Sequence, residues 1–212
     1  SSPITVDEGP CGCWRVGMTD SDSAAAALIE RARAQIAARP TGNRFLDLLE
    51  EGKVPRERLG RLAGEQHRII SSDRRSFALL AARYPEPPAG DLFLSLAQGE
   101  AQALRLLPAF AAALGWGEQE LRTYEPQPLA QAYPAYLAWL AVNGTSSAVA
   151  LAMLVNLDEW GTYCGRSAGA LNAGYGLPED SIAFFRFFAA PPPEFGAQAT
   201  AVIAAGLAAG ED

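Results

Sequence analysis

Apolar positions recur at three- and four-residue spacing along this chain and nowhere alternate, which predicts amphipathic helices and no strands. Caps and breakers divide the pattern. Asp20 or Ser21 caps a helix running to Arg39, where Pro40 stops it. Gly42 opens a short NRFLDLLEE helix that Gly52 closes. Pro55, tolerated in a first turn, begins a periodic segment that ends before Pro85 and reads as the longest helix. Asp91 to Leu114 follows, with Leu92, Leu96, Ala103, Leu107 and Phe110 facing inward and Pro108 as a candidate kink. A short EQELRTY helix and an EPQP turn lead to PLAQAYPAYLAWLAVNG, where Ala132, Tyr136 and Trp139 keep helical spacing.

The next helix carries the most unusual pattern. From Ala148 to Gly165 an apolar run is interrupted by Asn156, Asp158, Glu159, Trp160 and Tyr163. Residues three, four and seven apart share a helical face, so Asn156, Glu159, Trp160 and Tyr163 are expected to point one way and Asp158 another. A buried helix with an amide, a carboxylate and a phenol must satisfy each of them, either against neighbouring helices or around a pocket. Pro178 then starts PEDSIAFFRFFAA, whose Phe184, Phe185, Phe187 and Phe188 are too broadly spread for one exposed stripe. Prolines 191–193 break the chain, and Glu194 starts a terminal helix through Ala209. Short loops and no long repeat give an all-α bundle of seven to nine helices. Residues 1–19 lack periodicity and read as a flexible tail anchored by Trp14, ahead of a single domain over residues 20–212.

Composition narrows the partners. The net charge of −7 opposes nucleic-acid binding, which needs a basic surface, and arginines such as Arg56, Arg58, Arg61 and Arg68 sit among acids as a solvated face. No apolar run is long enough to span a membrane. Acidic and polar residues precede any apolar segment, so no secretory leader is read and a cytoplasmic location is expected. Cys11, Cys13 and Cys164 are odd in number and make no disulfide framework.

Three chemistries can be weighed from the residues. A metal site in a helical bundle draws on paired histidines and carboxylates, but His67 is the only histidine, leaving Glu65, Asp73, Glu100 and Glu159 almost alone; no metal or cofactor is expected. Nucleophilic attack by Cys164 needs a neighbouring base, and its surroundings read as packed helix. LAQGEAQAL lacks the glycines and preceding strand of a phosphate loop. His67, beside Glu65 and Gln66, stays a candidate binding residue.

The segment FLDLLEEGKVPRERLGRLAGEQHRIISSDRRSFALLAARYP at 45–85 resembles the opening of the TenA family within the heme oxygenase-like fold. LPAFAAALGWGEQEL resembles its next helix pair, and AYPAYLAWLAVNGTSSAVALAMLVNLDEWG the segment that bears its catalytic cysteine. Carried over, the family's pyrimidine-binding Asp falls on Gln66, its pocket Tyr on Tyr133, its nucleophilic Cys on Asn156 and its late acid on Glu194. Cys164 lies about two turns beyond Asn156 and cannot take that place. The diiron oxidases of the fold share a pattern near FFxxHxxxDxxH; FFRFFAAPPPEF puts Phe188, Pro192 and Phe195, all non-ligands, at those positions. The metal-free branch, with cyclases of the PqqC type, uses a histidine-rich pocket that this chain lacks.

The resemblance thus implies a heme oxygenase-like bundle, a homodimer as in most of the family, and a central pocket for a small molecule. The expected ligand is planar or hydrophobic, held by Gln66, His67, Tyr133, Asn156, Trp160, Tyr163 and Phe188. Glu159, Asp73 and Glu194 are the candidate acids and bases of a metal-free enzyme of bacterial specialised metabolism performing a cyclisation or isomerisation. Two alternatives stand beside it: a non-catalytic ligand-binding or regulatory protein, and a divergent thiamin-pyrimidine salvage hydrolase.

Overall fold

The computed structural model describes residues 20–40 and 42–211, and among them nine α-helices and two 3-10 turns occur and no strand. The helices are α1 (Asp20–Ala37), α2 (Arg44–Glu50), α3 (Arg56–Arg83), α4 (Ala89–Ala113), α5 (Glu118–Thr123), α6 (Ala132–Asn143), α7 (Ser146–Tyr175), α8 (Ala183–Ala189) and α9 (Phe195–Ala208). The 3-10 turns, Pro128–Gln131 and Glu179–Ile182, precede α6 and α8. The expected tail, with Cys11, Cys13 and Trp14, lies outside the described residues.

Local chemistry sets most of these boundaries. Asn43, not Gly42, opens α2, its side chain accepting from the Leu46 amide at 3.1 Å. Gly52 follows α2 at φ +67, a left-handed position that glycine occupies without a Cβ clash. α4 runs through Pro108, which lies on its exposed side, where water can take the carbonyl that proline leaves unbonded. The longest helix is α7 with 30 residues, not α3 with 28. Gly161, Gly165 and Gly169 weaken its local propensity, yet Cys164, Ala168 and Leu171 keep one buried stripe and carry it to Tyr175. Thr145 caps its start, and Gly176, at φ +65, ends it while the Leu177 amide returns to the Leu171 carbonyl at 3.1 Å.

Two hydrophobic cores lie at opposite ends of the long helices. One joins α1, the C-terminal half of α3, the N-terminal halves of α4 and α7, α6 and α9 through residues such as Ile29, Phe77, Phe93, Leu137, Met153 and Ile203. The other joins α2, the N-terminal half of α3, the C-terminal halves of α4 and α7, and α8 through Leu49, Leu59, Phe110, Leu171 and Phe184. Polar side chains on α3, α4 and α7 sit near the midpoints of those helices, between the cores.

Arginines fasten the ends. Arg56 donates to the Tyr175 carbonyl at 2.9 Å, and Arg68 donates to the carbonyls of Arg122 and Tyr124 at 2.8 Å each. These two are therefore structural clamps, not the purely solvated face that composition implied. Arg33 of α1 pairs with Asp158 at 2.9 Å, and Arg166 of α7 with Glu50 at 2.6 Å. Glu211 accepts from the Ser147 amide at 2.8 Å at the start of α7; burial opposes its charge, but the bonds from Ser147 and Ser146 hold its carboxyl below the usual range. No described helix is long and apolar enough to cross a membrane.

Candidate functional site

A cavity of about 220 Å³ occupies the waist between the two cores. On α3, Gln66, Ile70 and Asp73 recur at four and three residues and so share one stripe, with Ile69 beside it. α4 contributes Glu100, which lies on the stripe of buried Ala103 and Leu107. α6 sends in Tyr133, α7 provides Asn156, Leu157 and Trp160, and α8 closes one end with Phe188.

The entry of Tyr133 is fixed from outside the cavity. Gly60 and Gly64, one turn apart on α3, leave room for Trp116 and Tyr124 to lie directly on the helix, since a Cβ at either position would collide with those rings. Trp116 and Tyr124 pack at 5.7 Å between centroids. Glu65, on the next position of α3, accepts from the Tyr124 hydroxyl at 2.7 Å, the Gln127 amide at 2.8 Å and the Gln131 side chain at 3.1 Å. That acid ties down the turn leading into α6, and Tyr133 follows two residues later.

The two carboxyls dominate the electrostatics. Asp73 is 4% exposed, and its Oδ1 has no hydrogen-bond partner among the described residues. Burial raises its pKa to about 7, against a smaller lowering by the Tyr133 hydroxyl. Burial likewise raises Glu100 to about 8, with the charge of Asp73 adding to the rise. The Tyr133 phenol is pushed up, first by burial and then by Asp73 and Glu100, and it accepts from Asn156 Nδ2 at 3.5 Å. Near neutral pH the site therefore holds one carboxyl that keeps its proton and one that is poised to exchange it.

Aromatic packing supports the far wall. Phe188 meets Trp160 at 5.9 Å and Phe184 at 5.2 Å, both edge to face; Phe184 in turn meets Phe185 at 5.1 Å, and Phe185 meets Phe110 at 5.0 Å in the core. The pocket rings are thereby braced on fully buried ones.

Of the residues singled out in the sequence, Gln66, Asp73, Tyr133, Asn156, Trp160 and Phe188 line this cavity; His67, Glu159, Tyr163 and Glu194 do not. The helix explains Glu159: relative to Asn156, Trp160 and Leu157 lie at about +40° and +100°, Glu159 at about −60°. Glu159 is exposed and accepts from the Tyr163 hydroxyl at 2.7 Å, on a neighbouring face and further along α7. Glu194 is exposed at the start of α9. His67 turns away from the cavity, and burial, then Arg68 and Arg122, holds its pKa low. Cys164 is fully buried in the second core, and burial pushes its thiol up, so it stays protonated. Glu100 is the residue that sequence reasoning missed as a site acid, having weighed it only as a metal ligand; an acid on the same stripe as Leu96, Ala103 and Leu107 was its signal. Among the described residues, no group of three His, Cys, Asp or Glu side chains could hold a metal ion.

Comparison with known proteins places this arrangement in context. The model of the TENA/THI-4/PQQC family matches residues 35–173. A solved structure described as a domain of unknown function with a heme oxygenase-like fold, from Shewanella denitrificans, is similar at a TM-score of 0.61 and 15% identity, covering 91% of this chain and 89% of that one. The fold is heme oxygenase-like. No curated protein matches the chain.

Proposed function

Since the chain belongs to the TENA/THI-4/PQQC family, we propose that its cavity is the active site of a cofactor-independent enzyme of bacterial specialised metabolism. The substrate is a planar, largely apolar small molecule bearing a basic nitrogen, and the reaction is a cyclisation or isomerisation by proton transfer. One observation carries this reading: two carboxyls, Asp73 and Glu100, face one aromatic cavity with proton affinities near neutrality. Glu100 serves as the acid and Asp73 as the base, its unpartnered Oδ1 free to accept a substrate proton. Gln66 and Asn156 orient polar substituents, and Trp160 and Phe188 hold the planar part.

The donor set favours chemistry without a metal, because the one imidazole, His67, stands outside the lining. Thiol-dependent hydrolysis is disfavoured: Asn156 occupies the place that resemblance assigns to a nucleophile, and Cys164 is sealed in the core. The test is to incubate the purified protein with a bacterial small-molecule extract and follow it by untargeted mass spectrometry. A nitrogenous compound should be converted to an isomer or to a product differing by one water, about 100-fold more slowly with Asp73→Asn or Glu100→Gln. Conversion untouched by both substitutions would overturn the assignment. A compound bound and released unchanged would instead make this a binding protein.

A further inference from the structure

A second cavity, about 80 Å³, opens behind the first and is walled by Leu96, Phe187, Pro191, Pro192 and Phe195, with Gly99 at its α4 side. It shares Glu100, Leu157 and Phe188 with the main cavity, so one carboxyl and one phenyl ring stand at the junction. The two spaces differ in chemistry. Asp73, Gln66, Tyr133 and Asn156 belong only to the main cavity, whereas the second is mostly hydrocarbon and aromatic, with Ser95 and Gln198 at its exposed rim.

Such a pair of spaces selects for shape as well as charge. A compact polar molecule fills the main cavity and leaves the second wet; burying an apolar arm there gains the free energy of removing hydrocarbon from water. We propose that the ligand is an amphiphilic nitrogen base, its basic planar head set between Asp73 and Glu100 and an apolar arm running past Leu157 and Phe188 into the second cavity. This rests on the reading of the main cavity as a site for a basic head. Gly99 lies against this second cavity, and a Cβ built there meets nothing within 4 Å, so a larger side chain is accommodated without moving the backbone.

The experiment uses the full chain and 4-(n-alkylamino)pyridines from methyl to hexyl, titrated by calorimetry. Affinity should rise about three- to fourfold for each added methylene until the arm fills its cavity, then level off. Gly99→Leu should level off at a shorter chain while binding the methyl homologue within twofold of wild type, which also shows that the variant is folded. Asp73→Asn should weaken every homologue by one common factor. Affinity independent of chain length, or an unaltered series in Gly99→Leu, would overturn the arm while leaving the head site standing. Failure of the methyl homologue itself to bind would overturn both.

Discussion

Asp73 and Glu100 are costly residues for a helical bundle, because each withdraws an ionisable group from water without an ion-pair partner among the described residues to offset the loss. Their raised pKa values make that cost depend on pH. In the unfolded chain both carboxyls lose protons near pH 4, whereas in the folded protein they keep them to about 7 and about 8. Between those limits the folded state binds more protons, so stability is highest below pH 4 as far as these groups are concerned, falls as pH rises, and levels off above 8. Urea unfolding at pH 5 and pH 8 should show this decline, with the share of Asp73 on the order of 2–3 kcal/mol. Asp73→Asn should flatten the slope, both by removing one titrating group and by relieving the charge that raises Glu100. An unchanged slope would mean that the two acids are solvated.

At the scale of elements, the site depends on how closely the α5 region lies on α3. Gly60 and Gly64 permit that approach, and without it Glu65 would not reach Tyr124 and the turn that delivers Tyr133. Gly64→Ala should therefore be destabilising despite the higher helix propensity of alanine, by about 1–3 kcal/mol, because its methyl group displaces the Tyr124 ring. Gly99→Ala, into open space on α4, should be neutral or stabilising by up to about 1 kcal/mol. Paired thermal-unfolding measurements on the two variants separate close approach from propensity. The same distinction explains α6. Its helical spacing is plain in the sequence, but Tyr136 and Trp139 stack on each other at 61% and 56% exposure while Pro134, Leu137, Leu140 and Ala141 face the core. A helix apolar on every side offers no contrast from which periodicity can choose the inner face.

The whole molecule is two hydrophobic cores joined by three long helices whose polar midpoints meet. Replacing the meeting carboxyls with hydrocarbon should merge the cores: the double variant Asp73→Leu, Glu100→Met should unfold several degrees higher at pH 8 and lose turnover. A lower midpoint would show that the acids stabilise the waist.

The helices, their order and the general position of the polar stretch were legible in the chain, because breakers such as Pro40 and Pro85, a closing glycine such as Gly52, and i, i+4 spacing all act over one or two turns. Of the acids that meet in the cavity, Asp73 was named from its place on the chain and Glu100 was not. Glu159 looked as well placed as Asp73 on its own helix, and Glu100 looked like one acid among many, since spacing along a helix records which residues share a side but not what that side faces. The crossing of α3, α4 and α7 decided that, by bringing Asp73 and Glu100 to one cavity and leaving Glu159 in solvent. Desolvation and mutual repulsion arise only between groups brought together in space, so proton affinity, and the chemistry drawn from it, belongs to the tertiary structure.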